Sequence, residues 1–113
     1  MLKILHNPRC GKSRQTLKII NESGNEVEII EYLKDTPSES ELTSVLLKLN
    51  VSPLEIIRKG EPIFKENYRG KSFSDEEWIK VLVKNPILIE RPIVVKGDQA
   101  ILGRPPENVR KLL

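Results

Sequence analysis

The first 33 residues constrain the fold most, because they hold two short apolar runs separated by a helix-length segment. "LKIL" at 2–5 alternates as a strand does, and "NPRCG" then breaks it with Asn, Pro and Gly. Residues 11–22 place Thr16, Leu17 and Ile20 on one helical face, with a stop near Gly24. "EVEIIEYL" at 26–33 reads as a second strand, with Val27, Ile29 and either Tyr32 or Ile30 turned inward. One continuous helical crossover between two strands makes them a parallel pair.

The remaining segments add helices and then a hairpin. "TPSESELTSVLLKLN" carries a capping box, Ser38 with Glu41, ahead of a stripe of Leu42, Val45, Leu46 and Leu49. "SPLEIIRKGEP" reads as a short helix broken at Gly60. "SDEEWIKVLVKN" repeats the capping box with Ser74 and Glu77 and turns Trp78, Val81 and Leu82 inward. The last third changes character: a strand at 93–96, a Gly97-Asp98 turn, a strand at 100–102, and a helix opened by Pro105-Pro106. The order β-α-β, a helical insertion at about 38–84, then β-β-α predicts an α/β chain with a mixed sheet in the thioredoxin-like arrangement, one domain over 1–113. In that architecture the active loop lies where the first strand meets the first helix, and Cys10 sits at that junction.

Composition narrows the function classes. Apolar residues at 38% and charged residues at 31% exclude a disordered chain, and no run approaches a membrane span. "MLKILHNPRC" lacks the features of a secretory leader, so the expected address is cytoplasmic. A net charge of +3 is too small to imply nucleic acid, but residues 1–21 contain Lys3, Arg9, Lys12, Arg14 and Lys18 with no acid among them. Such a local field suits an anion. No long apolar seam calls for a second copy, so a monomer is expected.

A lone cysteine cannot form an internal disulfide. Cys10 is then a packing residue, an inert surface thiol, a nucleophile or a site of mixed disulfides. A thiol works as its thiolate, whose formation is helped by unpaired N–H groups at a helix start and by nearby cations. "HNPRCGKSR" offers both, with the Ser13 hydroxyl and Arg14 in the first turn also available to an oxyanion. Three more arginines stand at element ends: Arg58 before Gly60, Arg91 before Pro92, and Arg104 before Pro105. In a thioredoxin-like fold the residue before the proline that enters the third strand lies beside the active cysteine, usually across a cis peptide, so Arg91 and Pro92 are expected to face Cys10. His6, at the end of the first strand, is either a hydrogen-bonded structural residue or a group that affects the thiol's ionisation. Rival constellations fail on spacing. Ser13 stands where a redox C-x-x-C would need its second Cys, Arg14 follows Cys10 by four residues where a phosphatase loop needs six, and one Cys with one His makes no metal site.

With "HNPRCGKSRQTL", "IIRKGEP", "NPILIERPIVV" and "LGRPPENV" in order, the chain resembles the glutaredoxin-dependent arsenate reductase family nearly end to end, and most of all its shorter subgroup with the NPRC motif. The resemblance implies that Cys10 attacks arsenate and that Arg58, Arg91 and Arg104 bind the oxyanion. His6 matches the family histidine that helps lower the thiol pKa, and Ser13 and Arg14 match the continuation of the loop. It further implies glutathione as co-substrate, with no bound cofactor, and glutaredoxin as the partner that regenerates the thiol. Two positions depart from the family pattern: Arg9 stands where a small residue precedes the cysteine, and Gly103 where a Cys precedes the last arginine. Both departures bear on the substrate. Two other readings therefore remain open from the sequence: a glutathione-linked oxidoreductase acting on another oxyanion or a small oxidised substrate, and a non-catalytic thioredoxin-like adaptor.

Overall fold

Strand β1 (Leu2–Leu5) occupies the second position of a four-stranded sheet, with β2 (Val27–Ile30) parallel on one side and β3 (Ile93–Lys96) antiparallel on the other. Strand β4 (Gln99–Leu102) closes the order β2-β1-β3-β4 and pairs antiparallel with β3. The mixed sheet is the one expected. Register places Ile4 opposite Ile29 and Val94, and the β3–β4 hairpin turns through Gly97, whose φ of 59° is open to glycine at little cost. Helix α1 (Gly11–Glu22) makes the crossover from β1 to β2.

The computed structural model describes residues 1–113 and comprises two compact units: residues 1–35 with 91–113, and residues 36–90. In the first unit Leu2, Ile4, Ile20, Val94, Val109 and Leu112 form the core, joined at its margin by Leu17, Ile19, Val27 and Ile101. Burying each such aliphatic side chain is worth about 1.5–3 kcal/mol. Tyr32 is buried as expected, but Ile29 is 49% exposed. It lies on the outermost strand, beyond the cluster that Val27 joins.

The terminal segment Pro106–Leu112 differs from the α-helix expected: it is a 3-10 helix. Its buried residues Pro106, Val109 and Leu112 recur every third position, and three residues per turn align them on one side where 3.6 would not. Lys96 Nζ caps its end by donating to the Leu112 carbonyl at 2.9 Å.

The second unit is helical: α2 (Glu39–Leu49), α3 (Pro62–Asn67) and α4 (Asp75–Lys84). Both capping boxes form. Glu41 N–H donates to Ser38 Oγ at 3.1 Å and Ser38 N–H to Glu41 at 3.0 Å; for Glu77 and Ser74 the same bonds measure 3.2 and 2.9 Å. "SPLEIIRKGEP" forms only a 3-10 turn, Pro53–Ile56, because Ile57 and Ile89 pair in an antiparallel bridge instead of continuing it. Helix α3 has no apolar periodicity to betray it, although Pro62 holds the first position that proline favours. It contributes Phe64, stacked on Trp78 with ring centroids 6.1 Å apart, while Phe73 meets the same indole at 4.9 Å. No helix is long and apolar enough to cross a membrane.

Candidate active site

The loop between β1 and α1 is held mainly by Asn7. Its carbonyl accepts from Cys10 N–H at 3.0 Å, its side-chain Oδ1 accepts from Arg9 N–H at 3.0 Å, and its own N–H donates to Ser13 Oγ at 3.1 Å. Three bonds from one residue fold "NPRC" into a turn that ends with Cys10 as the N-cap of α1, its carbonyl taking the first helical bond from Arg14 N–H at 3.0 Å. The Cys10 side chain caps nothing and is half-buried.

Several groups act on the sulfur. Partial burial pushes the thiol pKa up, but the Ser13 N–H, a hydrogen bond from the Arg91 side chain, the Lys12 N–H and the Arg91 charge together outweigh it, so the pKa lies below its ordinary value. The two amides are free because they belong to the first turn of α1, where no carbonyl precedes them. The first turn contains no acid to oppose the effect.

His6 takes a different place from that of a base on the thiol. It is buried, and its Nδ1 lies 2.6 Å from Ser13 Oγ, the atom that also accepts from Asn7 N–H. Burial lowers the His6 pKa, Glu31 raises it and the Arg14 guanidinium lowers it, with a net shift downward. A neutral imidazole bonded to Ser13 ties the end of β1 to the first turn of α1. The Ser13 hydroxyl is thus turned to His6 and Asn7, and it is the Ser13 backbone that serves the thiolate. Arg14 Nη1 donates to the Pro8 carbonyl at 3.0 Å, bracing the same turn from outside.

Arg91 comes to the sulfur across the start of β3, and the Arg91–Pro92 peptide is cis, as is Arg104–Pro105. The Arg91 Nε is buried without a protein partner, an unusual state for a charged donor. Arg104 Nη1 donates to the Arg91 carbonyl at 3.1 Å, which fixes the two arginines relative to each other. One unit therefore gathers Cys10, His6, Ser13, Arg14, Arg91, Pro92 and Arg104. Arg58 stands in the other unit, its backbone N–H on the Leu88 carbonyl at 2.7 Å and its guanidinium paired with Glu61 at 3.2 Å and Glu90 at 3.4 Å.

The role of Asn7 and the contact between Gly103 and Thr16 escaped sequence reasoning. Asn7 organises the loop, and Asn before Pro was its signal. Gly103 and Thr16 meet behind Pro92: a Cβ built on Gly103 would lie 2.6 Å from Thr16 Oγ1 and 2.7 Å from Pro92 Cγ. No spacing in the sequence announces that contact.

A thiol at the N-cap position of α1 with Arg91 beside it, on a sheet of order β2-β1-β3-β4, defines a thioredoxin-like thiol protein. The ArsC family profile matches residues 5–112, and the chain belongs to that family. It is similar to an arsenate reductase of Acidiphilium multivorum, at 40% identity over 99% of this chain and 80% of the relative, and to the uncharacterized protein YfgD of Escherichia coli strain K12, at 44% over 99% and 96%. Among solved structures, an arsenate reductase from Vibrio cholerae superposes with a TM-score of 0.94 at 39% identity, covering 99% of this chain and 97% of that one.

Proposed function

We propose that this protein reduces arsenate to arsenite, with Cys10 as nucleophile, glutathione as co-substrate and glutaredoxin as the regenerating partner, in the cytoplasm. The observation that carries the reading is the pairing of an ionisable thiol with a buried, unpartnered donor on the same arginine: Arg91 bonds the sulfur and holds its Nε ready for an anion. Similarity to proteins named arsenate reductases supports arsenate as that anion.

The Cys10 thiolate attacks As(V) and displaces hydroxide, forming an S–As bond. The Lys12 and Ser13 amides, which stabilise the thiolate, and Arg91, with Arg104 behind it, offset the charge of the oxyanion. A glutathione thiolate then attacks the Cys10 sulfur. An S–S bond forms as the S–As bond breaks, its electron pair stays on arsenic, and As(V) becomes As(III). Glutaredoxin takes the glutathionyl group by attacking its sulfur, and the Cys10 thiolate is released. Ser13 in place of a second cysteine makes that external thiol a necessity. Arg58, engaged by Glu61 and Glu90, would have to exchange a carboxylate for the oxyanion to join in binding.

The test is the thiolate absorbance of Cys10 titrated with and without arsenate, alongside arsenate turnover coupled to glutathione and glutaredoxin. A low midpoint that moves with arsenate, and turnover abolished in Cys10→Ser, is the expected result. Turnover that survives Cys10→Ser overturns the reading.

A further inference from the structure

Next to the thiol loop lies a cleft of about 200 Å³, lined by His6, Asn7, Pro8 and Arg9 of that loop and by Glu31, Leu33 and Lys34, which follow β2. None of its charged groups except Glu31, through His6, enters the thiol chemistry described above. The lining brings together two cations, one carboxylate and an apolar wall of Pro8 and Leu33. Glu31 and Lys34 meet at only 3.8 Å with side chains 45% and 85% exposed, a contact too loose to hold either in place. Arg9 is better fixed at its backbone, where its N–H is bonded to Asn7 Oδ1.

We infer that this cleft binds the amino-acid end of a small zwitterionic thiol, its α-carboxylate on Arg9 and Lys34 and its α-ammonium on Glu31, and so delivers the thiol to the sulfur of Cys10. The inference rests on the external-thiol reading above. The cleft is smaller than a site for a whole drug-sized ligand, and it suits one amino-acid head whose methylenes lie on Pro8 and Leu33. Arg9 is the residue immediately before Cys10, about 3.8 Å away between Cα atoms. Glutathione carries its thiol on the residue next to the γ-glutamyl end, so a molecule held there presents its sulfur one residue along, as Cys10 lies one residue along from Arg9. A neutral thiol would meet only the apolar wall and none of the charges.

The exchange step can be isolated from arsenate. Cys10 is first converted to its mixed disulfide with thionitrobenzoate, and release of the coloured thiolate is followed on adding glutathione or mercaptoethanol. In the step of interest the glutathione thiolate attacks the Cys10 sulfur, a new S–S bond forms, the old one breaks, and thionitrobenzoate leaves with the electron pair. The expected result is a rate that saturates with glutathione, and a preference for glutathione over mercaptoethanol that falls about fivefold in each of Arg9→Met, Lys34→Met and Glu31→Gln. N-acetylglutathione, which lacks the ammonium, should already have lost the part of the preference that Glu31→Gln removes. Lys18→Met, on the exposed face of α1, controls for loss of one charge. A rate that stays linear in glutathione, or a preference unchanged in all three variants, overturns the site. Arsenate turnover measured on the same preparations separates the two ideas: selective exchange without arsenate reduction upholds the cleft and removes arsenate as substrate.

Discussion

Replacing Gly103 with alanine tests the packing that seats Arg91. The added Cβ would sit 2.6 Å from Thr16 Oγ1, 2.7 Å from Pro92 Cγ and 3.2 Å from Thr16 Cγ2, against a comfortable separation of about 3.5 Å. Neither neighbour is the loose end of a flexible chain. Thr16 Oγ1 is held to the Lys12 carbonyl at 2.8 Å, and the Pro92 carbonyl accepts from Gly103 N–H at 2.9 Å. Overpacking of this kind costs about 1–3 kcal/mol, and φ at this residue is not positive, so backbone strain adds nothing. A stiffer unfolded chain returns about 0.4–1 kcal/mol. The net loss expected is about 1–2 kcal/mol, read as a lower urea midpoint at constant m, or as a fall in Tm of roughly 4–10 °C. Because Pro92 is one of the displaced groups, Arg91 should shift as well, and the thiolate absorbance of Cys10 should appear at higher pH. Thr16→Ala removes two of the three close contacts, so it should cost less in the Gly103→Ala protein than in the parent. A Gly103→Ala protein as stable as the parent would refute the close-packing argument.

Removing the cation from the thiol by Arg91→Met should raise the Cys10 pKa, shift the onset of alkylation by iodoacetamide to higher pH, and weaken oxyanion binding by about 1.5–3 kcal/mol. An unchanged alkylation profile would remove Arg91 from the set of groups that ionise the thiol. His6, whose folded pKa lies below 6.5, makes the fold bind fewer protons than the unfolded chain in that range. Its stabilising effect is therefore complete above pH 6.5 and is lost as pH falls toward the folded value. Urea titrations should show this decline in the parent and a flatter profile in His6→Gln.

Much of this architecture was legible because local signals agreed with the global fold. The "LKIL" and "IVVK" runs, the Ser38–Glu41 and Ser74–Glu77 boxes and the Gly97 turn each carry their own physical cause, and each forms where expected. Cys10 was legible as a helix-start thiol for the same reason. What failed depended on groups far apart in sequence. Pro106, Val109 and Leu112 repeat every third residue, a spacing ambiguous until the core that receives Val109 and Leu112 is known. Ile29 alternates properly for a strand, yet only the strand order reveals that it stands on the edge of the sheet. The side-chain partners could not be read either: Arg58 pairs with Glu90, 32 positions away, within the helical unit, and Ser13 turns its hydroxyl to His6 on the far side of the loop.

That last contact bears on how this protein could evolve. A single codon change from Ser13 to Cys would supply a resolving thiol three residues from Cys10, so that the adduct could be resolved as an internal disulfide, which an outside reductant would then reopen. The same change would strip His6 and Asn7 of the oxygen that both share at 2.6 and 3.1 Å, and a larger, weakly bonding sulfur would have to occupy a position that is fully buried. The first step toward internal resolution thus loosens the loop that makes the existing thiol useful. A chain with this latch gains a cysteine at position 13 only at the expense of the contacts that hold His6 and Asn7.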